Sequence, residues 1–145
     1  MVGPLIFAFV LGAVVGSFLN VVVLRLNTGM GLRGRSMCMS CCRRLTWQEL
    51  IPIFSFILLL GKCRSCKGKI SWQYPLVEFI TGVLFAAIYF KFPPVSYMAI
   101  VTIVIYLMIA CLLVVITVYD MKHKIIPDSL VYVFSALALA TVFLG

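Results

Sequence analysis

Charge is what this sequence has least of. Only 11% of its 145 residues are charged, against 64% that are hydrophobic, and its mean hydropathy is +1.20. That balance excludes a soluble domain of this length and makes the chain an integral membrane protein. Acids are scarcer still. Glu49, Glu78, Asp120 and Asp128 are all there are, so any carboxylate chemistry must come from these four. No basic residue precedes the first apolar run, and Arg25 follows it. This is the reverse of a cleaved signal peptide, so the run is expected to stay in place as a helix. No base-stacking motif accompanies the net charge of +8. The basic residues flank apolar segments, and topology together with anionic lipid accounts for them, so membrane lipid rather than nucleic acid is the expected partner. A glycine-rich cofactor loop is also missing.

The apolar runs define the architecture. Leu5 to Leu24 gives twenty uncharged residues, enough to cross about 30 Å of hydrocarbon at about 1.5 Å per residue. Val95 to Tyr119 gives twenty-five more, and Tyr74 to Phe92 reads as a shorter span with Glu78 near one end and Lys91 near the other. Ile51 to Leu60 is only ten residues and should lie along the interface or against the other helices. Leu130 to Leu144 is short for a span and looks like a fourth helix cut off. The expected fold is an all-α, polytopic helical bundle with a small cytoplasmic four-cysteine zinc-binding loop between the first two spans. Its expected parts are a first span (1–26), the cysteine loop with an interfacial helix (27–73), a second span (74–92), a third (95–119), a cytoplasmic loop (120–128) and the start of a fourth span (129–145).

Orientation follows from the basic residues. Nine of the twelve lie between Arg25 and Lys69, Lys122 and Lys124 follow Asp120, and only Lys91 falls on the other side. The positive-inside rule then sets both loops in the cytoplasm and the N-terminus outside.

Inside the first loop stand Cys38-Met-Ser-Cys41 and Cys63-Arg-Ser-Cys66. Two Cys-x2-Cys turns complete a closed tetrahedral site of the kind that holds structural zinc. Two disulfides would use the same four thiols, with three possible pairings, but a cytoplasmic location favours metal. Cys42 is a fifth thiol that could compete as a ligand, and Cys111 reads as a small buried hydrophobe. The loop is also an internal repeat with a register of 25: Cys38 matches Cys63, Cys41 matches Cys66, Trp47 matches Trp72 and Gln48 matches Gln73. Such a period means one small unit used twice.

Local signals add detail. Gly12 and Gly16 allow close helix approach, and Asn20, a polar amide in a span, calls for a partner. Residues 27–35 read as a flexible, glycine-rich lead into the first knuckle. Thr46-Trp-Gln-Glu49 matches a capping box, after which Pro52 should interrupt the helix. Ser71 is the matching cap, and there Pro75 falls in the first turn, where a missing N–H costs little. Trp47 and Trp72 suit headgroup depth. Asp120 closes a long apolar helix, where a carboxylate is expensive unless it pairs, meets water or works.

Taken together, Gly16-Ser-Phe-Leu-Asn-Val, the paired knuckles, Trp47 through Ser55, Gly61 through Cys66, Tyr74-Pro-Leu-Val-Glu78 and Asp120 through Asp128 resemble the bacterial type IV prepilin peptidases, over about Gly12 to Asp128. The resemblance implies an intramembrane aspartic peptidase of the inner membrane. Such an enzyme cleaves leaders from prepilins or pseudopilins of type IV pili and type II secretion at the cytoplasmic face, and often methylates the new N-terminus with S-adenosylmethionine. Asp120 matches the first of the family's two catalytic aspartates. The second belongs to a Gly-x-Gly-Asp motif that does not occur here, so the chain alone is expected to be inactive. Cys42 stands where the first knuckle commonly has Gly, and Asn27 where the first motif commonly ends in Pro. A non-catalytic zinc module that docks prepilin or assembly partners is the alternative.

Overall fold

A computed structural model describes residues 2–26, 28, 34 and 36–144, with side chains through Thr141. Most of the glycine-rich lead over 27–35, including Asn27, lies outside the described residues. The elements are α1 (Val2–Arg25), a 3-10 turn (Trp47–Leu50), α2 (Phe54–Leu58), α3 (Gln73–Lys91), α4 (Tyr97–His123) and α5 (Asp128–Leu144). The described residues form no strand beyond two isolated bridges. Helices α1, α3 and α4 are each long and apolar enough to cross a membrane. The chain is thus an all-helical, multi-pass membrane protein with its four-cysteine group between the first two spans.

Small residues decide how α1 meets α3. A Cβ on Gly12 would stand 2.7 Å from the Thr81 carbonyl oxygen, and one on Gly16 would stand 2.9 Å from the Glu78 Cα. Gly82 returns the fit from α3, where a Cβ would meet the Phe9 ring at 2.8 Å. Lipid tails are as apolar as leucine, so helix association rests on this kind of backbone proximity and on polar contacts. Asn20, 1% exposed, supplies one such contact by donating from Nδ2 to the Tyr74 carbonyl at 3.2 Å. Thr81, fully buried, satisfies its hydroxyl on the Val77 carbonyl at 2.7 Å.

Tight packing continues where α1 ends, α3 begins and α4 ends. Leu19 and Val23, Val77, and Val114, Val115 and Tyr119 form one buried cluster there. The cysteine loop, which joins α1 to α3, therefore emerges at the same end of the bundle as the close of α4. Helix α4 runs past the apolar segment to His123, so Asp120 stands on its last turn rather than in a loop. Lys124 takes left-handed backbone as the cap, its N–H bonding the Asp120 carbonyl at 2.7 Å. Pro127 prevents the helix from resuming before Asp128.

Candidate metal centre and catalytic carboxylate

The repeat read from the sequence is a repeat in three dimensions. In the first knuckle the Cys38 N–H bonds the Arg43 carbonyl, the Cys42 N–H bonds the Cys38 carbonyl and the Leu45 N–H bonds the Ser36 carbonyl. Twenty-five residues on, the same three bonds join Cys63 to Gly68, Lys67 to Cys63 and Ile70 to Gly61, all six at 2.7–3.0 Å. The bridges Met37 to Arg44 and Lys62 to Lys69 keep the register, as do the positive φ angles of 55° at Cys42 and 57° at Lys67. Each turn folds a Cys-x2-Cys pair so that both sulfurs leave on one side.

Together the turns bring Cys38, Cys41, Cys63 and Cys66 into a group whose four Sγ atoms lie within 4.8 Å of one another. All six cysteines are unbridged. Zinc–thiolate bonds of about 2.3 Å in a tetrahedron require sulfurs roughly 3.8 Å apart, and Cys38 and Cys66 stand at 3.8 Å. The donor set and its spacing therefore fit a metal ion held by four thiolates. The backbone prepares the charge. Amide N–H groups of Cys66 and Ser65 draw Cys63 down to about 6, and those of Cys41 and Ser40 lower Cys38. The Arg43 amide also draws on Cys41, but the crowding of the Cys66 thiol and burial outweigh it and push Cys41 up to about 11. Four close thiols resist losing every proton unless a cation takes their place. Cys42 is exposed, outside the group.

Two polar links tie this centre to the helices, and neither was foreseen. Arg43 pairs with Glu49, whose carboxylate also accepts from the Thr46 N–H and hydroxyl at 2.9 Å each. The capping box marked Glu49 in the sequence, but nothing marked Arg43 as its partner. Glu78, buried on α3, accepts the Ile53 N–H at 2.7 Å. The signal was a carboxylate near the end of a span, which needs a partner. Ile53 itself holds φ 62° and ψ −52°, and the Phe54 N–H bonds back to the Pro52 carbonyl at 2.6 Å. This is a γ-turn of positive φ, a strained form, and on a β-branched residue. Just beyond it, Phe56 packs against Trp72 with ring centroids 4.8 Å apart and stands where a Cβ on Gly61 would touch it at 3.0 Å. Helix α2 is thereby fastened between the second knuckle and the start of α3.

Asp120 is exposed on the last turn of α4, and Asp128 is exposed at the start of α5. Tyr119, next to Asp120, stacks on His123 with centroids 4.4 Å apart. Among the described residues the four cysteines form the one cluster of three or more potential ligands, and neither aspartate belongs to it.

The family model described as bacterial peptidase A24 N-terminal domain matches residues 10–92, from α1 through the cysteine loop to the end of α3. The chain belongs to this family. Curated proteins are similar to it over more of its length than that segment. The prepilin leader peptidase/N-methyltransferase of Myxococcus xanthus (strain DK1622) is 42% identical over 131 residues, covering 88% of this chain and 38% of the relative. The protein of the same name from Bacillus subtilis (strain 168) is 35% identical over 134 residues, 87% of this chain and 49% of the relative. That of Klebsiella pneumoniae is 34% identical over 132 residues, 86% and 55%. The chain spans about half or less of the length of these curated relatives. No solved structure matches it.

Proposed function

We propose that this chain is the N-terminal part of a prepilin leader peptidase/N-methyltransferase in the bacterial cytoplasmic membrane. Its N-terminus lies outside, and the cysteine loop and Asp120 face the cytoplasm. The observation that carries the reading is the meeting, at one end of an apolar bundle, of a family-matched four-thiolate centre and an exposed carboxylate at a helix end. Cys38, Cys41, Cys63 and Cys66 hold a structural zinc that fixes the two knuckles, with no ligand position left for catalysis. Asp120 is one of two catalytic carboxylates. Hydrolysis by such a pair needs one ionised acid to activate water and one protonated acid to donate to the scissile carbonyl. The second acid belongs to a Gly-x-Gly-Asp motif outside residues 1–145, and Asp128, eight positions on and past Pro127, shapes the turn. S-adenosylmethionine supplies the methyl group when the methylation reaction is present. The substrates are type IV prepilins or pseudopilins.

In a full-length enzyme carrying this chain, Asp120→Asn is expected to cut leader cleavage on the order of ten-thousandfold, the scale of losing a catalytic carboxylate. Metal content should stay unchanged. Asp128→Asn is expected to cost far less, and residues 1–145 alone should hold metal yet cleave nothing. Cleavage of a synthetic prepilin, with zinc measured on the same samples, checks all three. Full cleavage by the Asp120→Asn enzyme assigns the chemistry elsewhere, and cleavage by residues 1–145 favours a site complete within this chain. A metal-loaded full-length protein without any cleavage favours a docking module.

A further inference from the structure

Between the end of α2 and the second knuckle lies a cavity of about 360 Å³, lined in part by Cys63 but by none of the other three clustered cysteines and not by Asp120. The rest of its lining is apolar, from Leu58, Leu59 and Leu60, and cationic, from Lys62, Arg64 and Lys67. Among the described residues none of these three cations is in an ion pair with Asp or Glu, the one ion pair being Arg43 with Glu49. Glu78 is buried on the Ile53 N–H, and Asp120 and Asp128 belong to the corner between α4 and α5. The leucines are equally unpartnered, since Leu58 and Leu60 are 81% and 84% exposed. The depth of the cavity is set by its neighbours. Trp72, exposed and in contact with Phe56 of α2, immediately precedes a membrane-crossing helix, and amphipathic rings at such a position lie at the headgroup level.

We propose that this cavity is a binding site for an anionic phospholipid, with its phosphodiester on Lys62, Arg64 and Lys67 and the start of an acyl chain against Leu58 to Leu60. A small soluble anion would leave the leucines in water, and a neutral apolar ligand would offer the three cations no anion, so that the thiolate charge of the metal centre alone would offset them. A zwitterionic lipid would bring its own ammonium up to them, so the site discriminates by headgroup charge. The volume lies within the range of about 300–1,000 Å³ usual for small-molecule sites. A lipid held there pins the second knuckle to the membrane surface through the residues that flank Cys63.

Native mass spectrometry of the purified protein in mild detergent, titrated with phosphatidylglycerol or phosphatidylcholine, tests the site. Phosphatidylglycerol should be retained in preference. A basic residue near the membrane contributes about 1 kcal/mol, or about fivefold, so Lys62→Gln/Arg64→Gln/Lys67→Gln should bind phosphatidylglycerol about a hundredfold more weakly. Lys122→Gln/Lys124→Gln, a control at the other cytoplasm-facing corner, should bind it as the parent does. If the triple variant loses its metal, Arg64→Gln and Lys67→Gln made singly decide instead, each with an expected loss of about fivefold. Equal retention of the two lipids, equal loss in the control, or no loss in the single variants overturns the proposal. Release of the lipid by an equal concentration of inorganic phosphate also overturns it, because the anion alone is then recognised. Release by S-adenosylmethionine overturns it in favour of a methyl-donor site.

Discussion

The two halves of the cysteine loop begin identically and end as different structures. Each folds a knuckle with the same three backbone bonds, and each follows it with a hydroxyl residue, a Trp and a Gln. After Trp72 the chain becomes α3, nineteen residues long. After Trp47 it makes one 3-10 turn, breaks, and resumes as the five residues of α2. Both sequels are apolar, so hydrophobicity does not separate them. The proline does. Pro75 lies three residues past Trp72 and is third in its helix, where no intrahelical bond is asked of the N–H. Pro52 lies five residues past Trp47, where a continuous helix would need its N–H for the Gln48 carbonyl. A shift of two positions separates a membrane span from an interfacial turn.

The sharpest way to break the comparison is to give the second half the first half's proline. Val77 is the counterpart of Pro52 in the register of 25, and it is 3% exposed in the cluster with Leu19 and Tyr119. Val77→Pro should cost about 3 kcal/mol or more from the lost bond and the steric clash, with buried packing lost as well. Pro75→Ala should cost less than Val77→Pro, about 1–2 kcal/mol from the buried ring atoms it removes, because at this position of the first turn no helical bond depends on the N–H. Thermal unfolding in detergent, followed by circular dichroism, compares the two. Similar effects from both would mean that proline position does not separate the halves.

Much of this was legible because it is local. The register of 25, the cysteine spacing and the two proline positions are visible in the sequence, and each acts over one or two turns. The apolar runs gave α1, α3 and α4, although α4 ran on to His123 because Asp120, Met121 and Lys122 can still be helical in the absence of a breaker. What stayed hidden is pairwise and distant. Glu78 meets Ile53 across 25 residues, and Asn20 meets Tyr74 across 54. Asn20 was marked as needing a partner and Glu78 only as an acid near the end of a span, and no pattern in one sequence names either partner. The γ-turn at Ile53 was hidden for another reason: an isoleucine is the last residue that local preference assigns to positive φ.

That turn gives the next largest effect, since only the first half needs a clamp to hold its broken helix. Glu78→Ala would leave the Ile53 N–H without its acceptor, at a cost of about 1–3 kcal/mol, whereas Glu78→Gln keeps an acceptor and should lose less. At Ile53 itself the usual ranking should invert. Glycine normally destabilises relative to alanine by roughly 0.5–1 kcal/mol, yet at φ 62° Ile53→Gly should be the more stable of the two by about 1 kcal/mol, since it relieves strain that alanine retains. Melting temperatures of the four variants in one detergent check this. An alanine variant more stable than the glycine variant would mean the turn is not strained.

The smallest effect concerns what fastens the first half to its own knuckle. Arg43 and Glu49 correspond to Gly68 and Tyr74 in the second half, where no ion pair is possible and α3 does the fastening instead. The Thr46 N–H, followed by the Thr46 hydroxyl and Arg43, holds the Glu49 carboxyl below the ordinary carboxylate range against the opposing effect of burial. A carboxyl with a lowered folded value binds fewer protons folded than unfolded. Its contribution is therefore complete above the usual glutamate value of about 4.3 and is lost as pH falls through the lower folded value. Trp47 and Trp72 report the two halves separately once the other Trp is changed to Phe. Acid release of metal should move both reporters together, because the four thiolates come from both knuckles. The additional change, below about pH 4, should appear at Trp47 alone and vanish in Glu49→Gln. If Trp72 shows the same Glu49-dependent step, the clamp spans both halves and the asymmetry between them is smaller than the proline positions imply.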